Sequence, residues 1–272
     1  MKMTRGNTTI ERMIGRENET RELREALRNR QCQLIWGSPD SGKSFLVGNV
    51  LAELSTNERQ KCICWTGAAT RRQLVEHLIR GLYLAGDPIV RRKVQADRFG
   101  EATLSRWLVE QSALRLRGIL FTAAEHGDYR IFVDHISPVS QTLADLLKEI
   151  VNRTNTPVYL AGRGYSQAEI GYAWTLYWTG QYRIRVRPLS ESAARELLDS
   201  CIERYALNSL DLDGFREELL RLSGHLPGAI VKMCRLAANP RYHYGDRVKL
   251  KLIHVDYLMQ GTGRESPVEN LS

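Results

Sequence analysis

No apolar run in this sequence approaches the ~20 residues that a helix needs to cross a bilayer, so a membrane-spanning protein is not expected. The opening residues Met1-Lys2-Met3-Thr4-Arg5 carry no apolar segment, and no secretory signal is expected. Cysteine is scarce. Cys32, Cys62, Cys64, Cys201 and Cys234 are odd in number and lack C-x-x-C spacing. This argues against a disulfide framework or a zinc site and for core thiols in a reducing compartment, with Cys62 and Cys64 on one face of a strand. A cytoplasmic setting is expected. No unit repeats at a period of roughly 20–50 residues, which excludes a solenoid, and no low-complexity tract occurs.

What is present has ordinary globular composition, 43% hydrophobic and 26% charged over 272 residues. That is enough chain for one large domain, or a main domain with a smaller companion. The balance of 39 Lys+Arg against 31 Asp+Glu leaves a net charge of +8. Such an excess suits DNA or another anionic partner, and it equally suits a solvated surface.

The most specific stretch is Gly37-Ser38-Pro39-Asp40-Ser41-Gly42-Lys43-Ser44, which reads G-x-x-x-x-G-K-[ST]. Glycines let a backbone wrap a phosphate with its N–H groups, and a following helix turns its positive end to the same anion. Lys43 would reach the outer phosphates, and the Ser44 hydroxyl would serve Mg²⁺, a hard cation that takes oxygen ligands. The flanks fit. Gln33-Leu34-Ile35-Trp36 has the length of a buried strand, and Phe45, Leu46, Val50, Leu51 and Leu54 recur at helical spacing. Asp40 stands out as an acid where small residues are usual.

Upstream, Met13-Ile14-Gly15-Arg16-Glu17 precedes a charged helix with Leu23 and Leu27 at i, i+4. Downstream, Cys62-Ile63-Cys64-Trp65 reads as a strand, and Thr70 with Gln73 has capping-box spacing before the stripe Leu74, Leu78, Ile79, Leu82. A basic stretch follows Gly86-Asp87-Pro88 (Arg91, Arg92, Lys93, Arg98, Arg106, Arg115, Arg117). Leu104, Trp107, Leu108 and Leu114 run through it as an amphipathic pattern. Its cationic face is either solvated or aimed at phosphates. Tyr129-Arg130-Ile131-Phe132-Val133-Asp134 is an apolar strand ending in an acid, with His135 after it. Leu143, Leu146, Leu147, Ile150 and Val151 form a helical stripe, Val158-Tyr159-Leu160-Ala161 a strand ending at Gly162-Arg163-Gly164, and Tyr182 to Arg187 a period-2 strand. From Pro188 the periodicity is helical, with helices expected from Ser190, over Asp211–Leu222 and over Leu226–Ala238. The basic, aromatic segment from Arg241 suggests a short hairpin or an element reaching a partner.

In this order the boxes resemble AAA+ ATPases of the origin-initiator group and the related STAND signalling ATPases. The resemblance implies an α/β fold, a P-loop NTPase parallel sheet flanked by helices, followed by a small all-helical lid. The boundaries expected are a core with its GRE box over 1–187, a lid over 188–260 and a loose tail over 261–272. By the same resemblance Ile14, Gly15 and Arg16 line the adenine pocket, and Gly37 through Phe45 hold the phosphates. Asp134 is the Walker B acid that shares Mg²⁺ with Ser44, and Arg163 reads the γ-phosphate as sensor 1. Pro227, in Ser223-Gly224-His225-Leu226-Pro227-Gly228, approaches the nucleotide. ATP and Mg²⁺ are the implied cofactors, and no N-K-x-D guanine-reading string occurs. The chain departs from the family where His135 stands in place of the usual Walker B glutamate, and His225 in place of a glycine. With Lys43, Asp134, His135 and Arg163 as the catalytic set, loss of the carboxylate base predicts slow hydrolysis. The expected function is a nucleotide-dependent assembly switch, DNA-associated like an initiator or transposition helper, in a homo-oligomer or with a protein partner. The alternative is a STAND-type regulator acting only through protein partners.

Overall fold

The computed structural model describes residues 13–67, 70–96, 101–136, 138–177 and 179–262. The lead-in over 1–12, Arg98 and the tail beyond 262 lie outside them. Contacts divide the described residues into two units. The first takes Arg16–Ser38 and Lys43–Val186, and the second takes Met13–Gly15, Pro39–Gly42 and the chain from Arg187 onward.

The first unit runs α1 (Glu17–Arg28), β1 (Gln33–Gly37), α2 (Lys43–Ala52), α3 (Thr56–Gln60), β2 (Cys62–Thr66), α4 (Arg71–Ala85), α5 (Pro88–Ala96), α6 (Glu101–Glu110), α7 (Ala113–His126), β3 (Arg130–Asp134), α8 (Gln141–Thr154), β4 (Val158–Arg163), α9 (Gln167–Ile170) and β5 (Arg183–Arg185). The strands form one parallel sheet in the order β2-β3-β4-β1-β5. Parallel neighbours require long crossovers, and the helices between strands supply them. The inner strands β1, β3 and β4 carry the buried apolar runs Leu34-Ile35, Ile131-Phe132-Val133 and Val158-Tyr159-Leu160, as strands covered on both faces must.

Local chemistry sets the helix ends. Thr70 and Gln73 form the expected capping box on α4, and Gly86 closes that helix in the left-handed conformation with φ +87. Asp87 then caps α5, its Oδ1 accepting from Val90 N at 2.8 Å while its Oδ2 accepts from the Tyr129 hydroxyl at 2.8 Å. The amphipathic pattern through Leu114 does not continue as one helix. Ser112 caps α7, its hydroxyl accepting from Arg115 N, so Leu104, Trp107 and Leu108 are buried and Leu114 is 77% exposed. The break leaves orphan carbonyls at the end of α6, and the Arg72 guanidinium donates to those of Leu108, Val109 and Gln111. Parts of the basic stretch are internally neutralised: Arg106 pairs with Glu110, and Arg117 with Glu149.

The expectation that the cysteines are core thiols holds for two of the five. Cys201 and Cys234 are buried core thiols, but Cys64 is exposed and Cys62 only half-buried, because β2 is an edge strand. Its Ile63 face meets α4, leaving no room for a Cβ at Gly81. The β5 arginines lie against indole rings. The Arg183 guanidinium lies 3.9 Å from the Trp174 ring centre and that of Arg185 lies 4.9 Å from Trp36, the two indoles meeting edge-on at 5.3 Å.

On the edge strand, Trp65 stacks on His77 with ring centroids 3.6 Å apart. Burial, aided by Arg80 and opposed by Glu76, lowers the His77 pKa from its ordinary 6.5. The folded state therefore favours the neutral ring, and the unfolded chain binds the extra proton first. Stability contributed above about pH 6.5 is lost as pH falls through that value. Denaturant midpoints at pH 7.5 and 5.5 should differ less in His77→Phe than in the wild type, and equal differences would contradict this.

The second unit contains α10 (Glu191–Arg204), α11 (Phe215–Ser223), α12 (Pro227–Ala237), β6 (His243–Tyr244), β7 (Arg247–Val248) and α13 (Leu250–Thr262). It is helical but for the short hairpin suggested from Arg241. Gly245, with φ +61, turns the chain between β6 and β7, which pair antiparallel. Its core joins Leu198, Ile202, Leu219, Ile230, Met233, Tyr242 and Ile253. The second helix starts at Phe215, not Asp211, because the Asp211 carboxylate accepts from Asp213 N in a turn and Gly214 is left-handed with φ +69. Among the described residues no helix is long and apolar enough to cross a membrane.

Candidate nucleotide-binding site

Strand β1 delivers Gly37 and Ser38, both buried, into the loop, and α2 begins at Lys43. Gly42 takes φ +92, a conformation glycine adopts without strain, and this swings the chain into the helix. Lys43 is 6% exposed and its ammonium donates to Gly37 O at 2.9 Å and Ser38 O at 2.7 Å. The loop is thus wrapped around its own cation. Ser41 is fully buried, while Ser44 and Phe45 stand exposed in the first turn of α2, where backbone N–H groups have no intrahelical acceptor.

The sheet order places the other groups at the same carboxyl edge, where ligands of parallel α/β sheets bind. In the β1–β4 register Gly37 lies opposite Arg163, and Gly164 N donates to Gly37 O at 3.1 Å. In the β3–β4 register Asp134 lies opposite Ala161. Asp134 and the loop therefore sit two strands apart with Arg163 on the strand between. His135 is held in a left-handed turn with φ +57, its N donating to Asp134 Oδ1 at 2.7 Å and its Nδ1 lying 3.4 Å from Asp134 Oδ2. That Nδ1 is buried and makes no hydrogen bond. The imidazole is thus turned onto its neighbouring carboxylate.

Among the described residues no three His, Cys, Asp or Glu side chains cluster as a metal cage. A Mg²⁺ ion needs none, since it keeps several waters and takes one or two protein oxygens beside substrate phosphates. Ser44 and Asp134 are hard oxygen donors of that kind, and the residues fit a Mg-nucleotide.

The remaining expected residues fall in both units. In the first, Arg16 is 6% exposed and pairs with Glu19 at 3.2 Å. Burial lowers its pKa, against the opposing pull of Glu19 and Glu17. In the second, Ile14 packs on the core around Leu198, and Gly15 comes so close to α10 that a Cβ would lie 2.6 Å from that of Ala193. Pro227 opens α12, with its ring 3.3 Å from where Gly42 would carry a Cβ. Asp40 meets Gly228, Lys232 and Tyr257, none of them in the expected set. The acid itself was their only signal in the sequence.

No protein-family model matches the chain, and no curated protein sequence does. Solved structures do. A Walker-type ATPase of Pyrococcus abyssi aligns at TM-score 0.59 and 20% identity over 92% of this chain and 74% of that one. Cdc6p of Pyrobaculum aerophilum aligns at 0.55 and 14% identity, covering 86% of this chain and 64% of that one. The ORC1 protein of Aeropyrum pernix, solved in complex with DNA, aligns at 0.59 and 17% identity, covering 91% and 65%. The chain has the P-loop ATPase fold of the Cdc6 and ORC1 proteins. It spans just under two thirds of the length of those two. Within this P-loop fold, the loop after β1, the acid ending β3 and the strand tip at Arg163 come to one edge of the sheet.

Proposed function

We propose that the chain binds ATP with Mg²⁺ and acts as a nucleotide-dependent assembly switch with slow hydrolysis, working in association with DNA. The observation that carries the nucleotide part is the wrapped loop with Lys43 at the start of α2, set beside Asp134 and Arg163 at the carboxyl edge of a P-loop sheet. In this reading Lys43 and the α2 N-terminus bind the phosphates, Ser44 and Asp134 hold Mg²⁺, and Arg163 contacts the outer phosphate. Ile14, Gly15 and Arg16 shape the base end, residues 1–187 form the core, and residues 188–260 form the lid. When bound, Mg²⁺ would neutralise phosphate charge. Slow turnover follows from His135. An imidazole differs from a glutamate in shape and reach, and a missing general base lowers a rate by about 10² to 10⁴.

Isolated protein should bind ATP in a Mg²⁺-dependent titration and turn it over at less than roughly one per second, the low end of ordinary enzyme rates. Sustained turnover of several per second would refute the slow switch. DNA association rests on the +8 net charge and on the DNA in the ORC1 structure. DNA binding should weaken steeply with added salt as counterion release requires. The second reading, a STAND-type regulator working through protein partners, is favoured by Pro227 lying against Gly42. No DNA binding at low salt, with ATP-driven change in oligomer size, would select it.

A further inference from the structure

Asp40 is the one loop residue whose charge opposes the expected ligand, since a carboxylate near a polyphosphate repels it. Its surroundings within the second unit show how it is held. The backbone is left-handed at φ +60, a conformation Asp and Asn tolerate better than most residues. Asp40 O accepts from Gly228 N at 2.8 Å, one of the first-turn donors of α12 that lack an intrahelical partner. Oδ1 accepts from Lys232 Nζ at 2.9 Å, and Oδ2 accepts from the Tyr257 hydroxyl at 2.9 Å. Gly228 and Lys232 stand one turn apart on α12, and Tyr257 is on α13. A Cβ at Gly228 would come within 2.9 Å of Asp40 Cβ and 3.0 Å of its carbonyl oxygen. The close approach of the loop therefore depends on glycine at that position.

One acid thus ties the loop tip to two helices, with a cation and a hydroxyl on its two oxygens. We propose that Asp40 is a positioning residue that couples the phosphate loop to α13. Lys232 neutralises the carboxylate so that the loop accepts phosphates, and Tyr257 transmits the state of the loop to α13. Coupling of this kind is reciprocal, so occupancy of the loop and docking of α13 favour each other. The proposal rests on the nucleotide reading above.

The test has one arm without nucleotide and one with it. Hydrogen exchange of the α13 amides, without nucleotide, should speed up about tenfold in Tyr257→Phe and in Asp40→Asn, which keeps the left-handed turn but removes the charge. Unchanged α13 exchange in both variants overturns the coupling. In ATP-Mg titrations Lys232→Met should bind about tenfold more weakly, because it leaves the Asp40 charge facing phosphates uncompensated, and adding Asp40→Asn should restore affinity to within about threefold of wild type. A double variant as weak as Lys232→Met overturns the electrostatic role, because lost packing is not repaired by removing a charge. Wild-type protein that binds no ATP defeats the proposed function, and the nucleotide-free exchange arm then still decides the link between Asp40 and α13.

Discussion

Lys43→Ala is expected to weaken ATP binding by about 10² to 10³, the loss of one or two charge-assisted hydrogen bonds at about 1.5–3 kcal/mol each. The residue is well placed for so large an effect. It begins α2, is 6% exposed, and already reaches two carbonyls of its own loop. Its ammonium is therefore desolvated and oriented before any ligand arrives, and binding need not pay to order it. Wild-type protein at ~100 times its dissociation constant should gain about 2.7 kcal/mol of stability from ATP, read as a rise in melting temperature. The variant should gain no more than about 0.4 kcal/mol at the same concentration. The change leaves the Gly37 carbonyl with Gly164 N as a donor, so the loop keeps part of its support. A variant that melts as the wild type does without nucleotide, yet shifts equally with ATP, would show that the loop is not the binding site.

Trp107→Ala should cost about 3–5 kcal/mol of folding stability, the range for removing a large buried aromatic side chain and leaving a cavity. Trp107 is fully buried in the core of the first unit, alongside Leu104 and Leu108 on α6 and the α4 stripe Leu74, Leu78, Ile79 and Leu82. The matched control is Leu114→Ala. Both residues belong to the same apolar pattern in the sequence, but Leu114 is 77% exposed and should change stability by no more than about 0.5 kcal/mol. Denaturant midpoints of the two variants decide the matter. Equal losses would mean that α6 and α7 are not arranged as described.

The pair also shows where sequence periodicity stops. Leu104, Trp107, Leu108 and Leu114 fit one helical stripe, and the break came from Ser112, whose hydroxyl cap on α7 outcompeted continuation of α6. Spacing reports that a segment is helical and says little about where a short polar residue restarts the count. Edge and centre of a sheet are similarly hidden. Cys62-Ile63-Cys64-Trp65 and Ile131-Phe132-Val133 look alike as apolar runs, yet one is an edge strand with Cys64 exposed and the other lies inside the sheet. Strand order is decided by contacts far apart in the chain.

The local sequence determined by itself the strand–loop–helix unit around Lys43, because phosphate-loop spacing, flanking apolar runs and glycine at a φ of +92 are properties of adjacent residues. It also determined the capping box at Thr70, the strand ending at Asp134 and the change to helical periodicity after Pro188. Only the tertiary structure decided that β4 lies between β1 and β3, bringing Arg163 beside Gly37. It alone placed Trp rings under Arg183 and Arg185, and gave Asp40 its partners Lys232 and Tyr257, 192 and 217 residues away. The reason is physical. Backbone conformation and capping follow from neighbours within a few residues, whereas a charged side chain takes its partner wherever folding brings one, and that choice leaves no periodic trace in the chain.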